Sequence, residues 1–391
     1  MINNISYKKA IELLFQLSSD NGFLASAEQS TNYNRVWARD GVICGLASIL
    51  DGNSTLLETF RATLLTLSEH QNHLGHIPSN VYFKEKGNIE VSFGGLAGRV
   101  DTVSWYIIGI CNYCYAINDM TLLNQNEEKI NRALCLLQAW EFNNNDLLYV
   151  PRSGNWADEY ITEGHIFYDQ LLRLWALRCL HQLKPRIEFE KKIHKITKKL
   201  EDNYRKINIQ QPYHPKAYKK LKESNYWMAS ISPSGYQTMY DAFANSLAIF
   251  LNIGDPIFKQ KVFDHSEHLR QELQLGLLPA FWPPITPNDK DWEVLENNCK
   301  YEFRNYPFQF HNGGTWQMIN GFYGMAVQSI NPTVSKEILK KIKKLNAQKK
   351  YSFYENFDTN TCLPSGVKQC GWSAAGEIIL EQSLNNKHLL N

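Results

Sequence analysis

Apolar residues recur at steps of three and four through most of this chain. Twelve stretches hold that period long enough to read as helices: 6–18, 40–51, 53–70, 101–117, 127–140, 163–183, 186–207, 238–252, 254–271, 313–329, 332–348 and 371–386. Very little alternates with the period of two expected of a strand with one buried face. The pattern predicts an all-α protein.

The connections sort the helices. Asp51-Gly52-Asn53, Lys184-Pro185, Gly254-Asp255-Pro256 and Asn331-Pro332 are tight turns of the kind that join antiparallel neighbours. The segments 19–39, 71–100, 141–162, 208–237, 272–312 and 349–370 are long. This alternation puts every long loop at one end of the helices, ahead of the second, fourth, sixth, eighth, tenth and twelfth. Those helices are apolar and rich in small residues, whereas their partners carry lysine faces such as Lys191, Lys195 and Lys198 or Lys336, Lys340 and Lys344. An inner and an outer ring follow. Pairing the last helix with the first closes six hairpins into an (α/α)6 toroid, a single domain over residues 1–391 with a cavity at the long-loop end. An open solenoid of hairpins is the competing architecture, but no signature repeats at the roughly 34- to 45-residue period of such arrays.

Composition then narrows the function classes. With 43% hydrophobic residues, a large core is available, and a net charge of +2 without a basic tail argues against nucleic acid as a partner. No segment of signal-peptide type opens the sequence and none approaches the roughly 18 apolar residues of a membrane span, so a cytoplasmic protein without a membrane partner is expected. Most of the eight cysteines sit in apolar helical patterns and read as free thiols; Cys111 and Cys114, spaced like a redox or metal pair, have no second pair and read as core. No P-loop, dinucleotide fingerprint or HExxH motif is present, so no cofactor and no metal are expected. A homo-oligomer stays open.

Polar residues unsuited to a core collect in the long loops. Gly154-Asn155-Trp156-Ala157-Asp158-Glu159-Tyr160 sets two acids beside an indole, an environment that can stack on a pyranose and raise a carboxyl pKa. Its plain alternative is a helix start with acids in the first turn. The other loops hold Trp37, Arg39 and Asp40; Arg99, Asp101 and Trp105; His311, Asn312 and Trp316; and Glu355 and Trp372. Singly, each Arg-Asp pair reads as a structural ion pair, and each tryptophan fits core packing as well as sugar contact. Together at one end of a barrel they read as a cavity for a small-molecule or oligosaccharide substrate.

In their order along the chain, Trp37-Ala38-Arg39-Asp40, Gly98-Arg99-Val100-Asp101 with Trp105, the Asp158 loop followed by Ala176-Leu177-Arg178-Cys179, Phe310-His311-Asn312-Gly313-Gly314 with Trp316, and Tyr354-Glu355 running to Gly371-Trp372-Ser373 resemble the landmarks of the alkaline and neutral invertases. They are also similar to those of bacterial proteins grouped as glycogen-debranching amylo-1,6-glucosidases. The resemblance runs from about residue 23 to about residue 385. It implies an (α/α)6 glycoside hydrolase with Asp158 as general acid and Glu355 as general base, acting on a sucrose-like disaccharide or, alternatively, on the α-1,6 bonds of a branched glucan. The chain departs from the family at Glu159-Tyr160, where basic residues are expected, and is shorter between 208 and 237.

Asp158 and Glu355 precede the sixth and twelfth helices, across the mouth from one another. Inversion, which needs carboxyls roughly 6.5 to 9.5 Å apart rather than about 5 to 5.5 Å, is therefore expected. Asp40 and Asp101 would accept substrate hydroxyls, Arg39 and Arg99 would orient them, and Trp37, Trp105, Trp156, Trp316 and Trp372 would stack or form walls, with His311 and Asn312 among the binding residues. Two other classes fit the same fold: a sugar epimerase using His311 with His76 or His165, and a non-catalytic carbohydrate-binding protein.

Overall fold

The computed structural model describes residues 2–28, 32–84 and 87–391. Twelve helices build the barrel: α1 (Ile2–Leu17), α2 (Ala38–Asp51), α3 (Ser54–Glu69), α4 (Asp101–Ile117), α5 (Glu127–Ala139), α6 (Phe167–Leu183), α7 (Ile187–Asn203), α8 (Ala242–Phe250), α9 (Pro256–Glu272), α10 (Gln317–Val327), α11 (Pro332–Asn346) and α12 (Gly371–Leu384). Four short helical segments, Thr121–Gln125, Pro215–Lys220, Trp292–Glu296 and Gln348–Tyr351, lie in the connections.

The even-numbered helices pack in sequence, α2 on α4, α4 on α6, α6 on α8, α8 on α10, α10 on α12 and α12 back on α2, which closes the inner ring of an (α/α)6 toroid. Helix α1 packs against α12 and α11, so first and last hairpin elements meet as the alternation requires. Small residues let the inner helices approach: a Cβ on Gly321 of α10 would lie 2.3 Å from the Gly376 carbonyl oxygen of α12. The tight turns carry their own caps. Asn53 accepts from Thr55 N and Leu56 N to start α3, and Asp255 and Asn331, each followed by proline at the first helical position, cap α9 and α11.

Strands are more frequent than the periodicity suggests, and they lie among the long loops. Val36–Trp37, Asn80–Phe83 and Ile89–Ser92 form one antiparallel sheet; His165–Ile166, Met228–Ser232, Gly235–Asp241 and Phe281–Trp282 form another. Single bridges join Thr315 to Phe357 and Ser26 to Cys370, and Val100 N donates to Gly154 O at 2.7 Å. These pairings knit the six loops into a continuous collar. Most strands span two to five residues, too few for alternation to register. The strand at 235–241 also pushes the start of α8 from the expected 238 to Ala242, and His165–Ile166 moves α6 from 163 to Phe167. Among the described residues no helix is long and apolar enough to cross a membrane.

Candidate active site

A cavity of about 1040 Å³ opens inside the collar. Five of the six long loops line it; the fourth, 208–237, contributes no residue, because it folds out into the hairpin Met228–Asp241 and the helix Pro215–Lys220. The shorter stretch in this chain therefore lies outside the cavity wall.

Among the sequence-selected residues, Trp37, Arg39, Asp40, Arg99, Trp156, Asp158, His311, Trp316, Glu355 and Trp372 line the cavity together. Three do not. Asp101 sits one layer behind, receiving Arg39 Nη1 at 3.1 and 3.2 Å and so fixing the guanidinium. Trp105 is wholly buried in the barrel, its Nε1 donating to Tyr168 Oη at 3.0 Å and its ring set against Trp175 and Phe243. As the fifth residue of α4 it lies a full turn below the rim. Asn312 braces the fifth loop, giving Nδ2 to Ile285 O and Asn305 O and accepting from Ile285 N.

Asp158 stands on the loop before α6 with its side chain 27% exposed, and Arg99 Nη2 donates to Oδ2 at 2.6 Å. Arg99 is itself oriented by Gly98 O and Ser153 O. Burial would raise the Asp158 pKa, but the guanidiniums of Arg99 and Arg39 outweigh it and hold the carboxyl below its ordinary range. Glu355 arrives on the sixth loop, 4% exposed, and accepts from Tyr33 Oη at 3.0 Å and Val367 N at 3.4 Å. Burial pushes its pKa up, the Arg304 charge and the Tyr33 hydrogen bond pull it back, and the balance is about 7. Gly366 makes room for this carboxylate: at φ +73° it adopts a left-handed conformation, and a Cβ there would come within 2.3 Å of Glu355 Oε2.

A third carboxyl, Asp40, is raised by burial to about 6 despite Arg39 beside it. His311 stacks on Trp316 at a ring separation of 5.5 Å and meets Trp156 edge-on at 5.1 Å. Burial, joined by the charges of Arg304, Arg39 and Arg99, pushes its pKa down to about 3, so the imidazole is neutral at physiological pH. His76 Nε2 donates to Arg99 O and His165 Nδ1 to Leu148 O, and neither histidine lines the cavity. The histidine pairs an epimerase would need are not assembled.

Tyr33 and Arg304 face the cavity with no counterpart in the sequence reading. Arg304 lies 4.0 Å over the Phe310 ring and pairs with Glu159 at 3.2 Å. Tyr33 lies four residues before the landmark at Trp37 and Arg304 seven before that at His311, in loops without period, so only their tertiary partners mark them.

A closed ring of six hairpins with a cavity among its loops is the architecture of toroidal glycoside hydrolases. In fold the chain is similar to a GH63 mannosylglycerate hydrolase from Thermus thermophilus, with a TM-score of 0.68 over 95% of this chain and 99% of that one at 13% identity. The family follows from the sequence. Residues 18–223 and 201–387 match the alkaline and neutral invertase profile, and the chain belongs to that family of glycoside hydrolases. An alkaline/neutral invertase of Arabidopsis thaliana is 22% identical over 92% of this chain and 74% of its own length. A cytosolic invertase of Oryza sativa subsp. japonica is 22% identical over 75% of this chain and 61% of its own.

Proposed function

We propose that this protein, acting in the cytoplasm as one catalytic domain, hydrolyses a small sucrose-like glycoside with inversion, Asp158 serving as general acid and Glu355 as general base. The observation that carries the reading is that both carboxyls, from loops ahead of α6 and α12, line one cavity in a chain of this hydrolase family. Below about pH 7 the two carboxyls together hold one proton, resting on Glu355 while Asp158 is ionised, so these roles require that proton to pass to Asp158 before the leaving oxygen is protonated. Asp40 and Arg39 present polar groups to sugar hydroxyls, and Trp37 and Trp372 offer apolar faces. Loops 71–100 and 272–312 both contribute to the wall of this cavity, where they can close around a disaccharide.

One observation favours a second reading, α-1,6-glucosidase action on a branched glucan. At about 1040 Å³ the cavity stands at the top of the roughly 300 to 1,000 Å³ range of small-ligand sites, leaving room beyond two sugar rings. Incubation with sucrose, maltose, isomaltose, trehalose and glycogen limit dextrin, with products and their anomers followed by NMR, tests both. Sucrose cleavage with the inverted anomer appearing first supports the leading reading. Glucose release from limit dextrin with sucrose untouched reverses the order, and no release from any of the five removes both.

A further inference from the structure

Glu159, the acid next to Asp158, is engaged elsewhere. Its carboxylate takes Arg304 at 3.2 Å and the backbone N–H of Lys300. Asn305 Nδ2 donates to Glu159 O at 2.7 Å, Asn298 Nδ2 to Tyr160 O at 2.9 Å, and Ser153 Oγ to Asn298 Oδ1 at 2.8 Å. Together these contacts lash the segment 298–305 of the fifth loop to the loop that carries Asp158. Phe303 adds an apolar anchor, packed edge-on against Trp292 and Tyr306. Between the fastened ends, Lys300, Tyr301 and Glu302 line the cavity. Tyr301 is 75% exposed, with Lys300 Nζ 4.9 Å over its ring.

We infer that this strap is the wall of the leaving-group site, with Tyr301 as the platform for a neutral sugar. The inference rests on the proposed reading of Asp158 as the acid. An acid that protonates the glycosidic oxygen lies on the side of the scissile bond toward which the leaving group departs, and the strap is tied to the residues immediately after that acid. Its chemistry matches a polyhydroxylated, uncharged group. One large aromatic face is free to stack on C–H bonds, and one ammonium and one carboxylate offer hydrogen bonds without net charge. Glu159, Arg304 and Asn298 are positioning residues that hold this wall against Asp158.

The test compares substrates that share a donor and differ in what leaves. For Tyr301→Ala, kcat/KM on sucrose or isomaltose should fall by about tenfold or more beyond any fall on α-glucosyl fluoride, whose leaving atom is too small to reach the strap. The excess should appear mainly in KM, and Tyr301→Phe, which keeps the ring, should recover most of it. Equal losses on the glycoside and the fluoride, or a Phe variant as impaired as the Ala variant, would overturn the assignment of the strap. Wild-type protein inert toward the fluoride and both glycosides would instead overturn the hydrolase reading beneath it.

Discussion

Arg99 holds Asp158 through a 2.6 Å hydrogen bond from Nη2 to Oδ2, and its charge, with that of Arg39, keeps Asp158 ionised while burial lifts Glu355. Asp158 stays ionised, whereas Glu355, lifted to about 7, carries the proton below neutral pH. The family resemblance assigns the acid to Asp158 and the base to Glu355. Catalysis in those roles proceeds through the state in which the proton has moved from Glu355 to Asp158.

Leaving-group dependence reports the roles directly. Asp158→Asn is expected to keep far more activity on α-glucosyl fluoride than on the natural glycoside, since fluoride leaves without an acid. Glu355→Gln should lose on the order of 10² to 10⁴-fold on both. Azide should restore part of the Glu355→Ala turnover by occupying the space of the lost carboxylate. Kinetics with the two substrates check this, and the opposite pattern assigns the acid to Glu355.

The pH profile depends on how many protons the pair holds. The singly protonated state is maximal between the depressed Asp158 value and about 7 for Glu355, whichever carboxyl bears the proton in the reactive form. Accordingly, kcat/KM should be highest in the mildly acidic to neutral range and fall about tenfold per pH unit above about 7. Replacing Arg304 with Gln removes a charge that lowers the Glu355 value and should move that limb to higher pH. Asp40 and Tyr33 also face Glu355, so the same profile measured on Asp40→Asn should show the limb displaced downward. A limb that stays in place in both variants would mean that another group titrates there.

Asp241 makes a separate prediction about stability. Its Oδ1 caps α8 at Ala244 N, Oδ2 has no partner among the described residues, and burial raises its pKa to about 7. A carboxyl raised in the fold is stabilising below its ordinary pKa of about 4, and that contribution is lost as pH rises through about 7. Asp241→Asn keeps the capping oxygen without the charge. Thermal unfolding of the variant should show Tm raised by on the order of 2 °C or more at pH 8 relative to wild type, with the gap narrowing progressively as pH falls from about 7 toward about 4.

At the far end of the barrel, Leu390 enters between two inner helices. Trp175 Nε1, Cys179 Sγ and Asn112 Nδ2 all donate to its carbonyl, at 2.7, 3.3 and 3.4 Å, and its N–H donates to Asn112 Oδ1 at 2.9 Å. Removing residues 389–391 would expose the pockets of two buried leucines and leave buried polar groups unpaired. A loss of roughly 3 kcal/mol or more is expected, measured by denaturant unfolding.

The toroid was legible because its two determinants are local. Helical period is written in each segment, and glycines, prolines and capping residues such as Asn53 and Asp255 mark where the chain turns back; short and long connections then leave little choice of topology. Candidate site residues were legible for a related reason: charge, tryptophan and glycine clustered in loops have no use in a helix core.

What lay beyond the sequence is whatever depends on a partner distant in the chain. Trp105 and Trp37 are the same residue type beside similar motifs, yet one is buried against Trp175 and the other faces the cavity, because a turn of helix separates their heights in the barrel. Asp101 and Asp158 each follow or meet an arginine, but only the packed loops decide that Arg39 shields the first while Arg99 leaves the second open to the cavity. Tyr33 reaches Glu355 across 322 residues, and Arg304 reaches Glu159 across 145. Period and composition report which side chains must be buried or solvated; which carboxylate keeps a proton is set by desolvation and by charges a few ångströms away, and those neighbours exist only once the ring has closed.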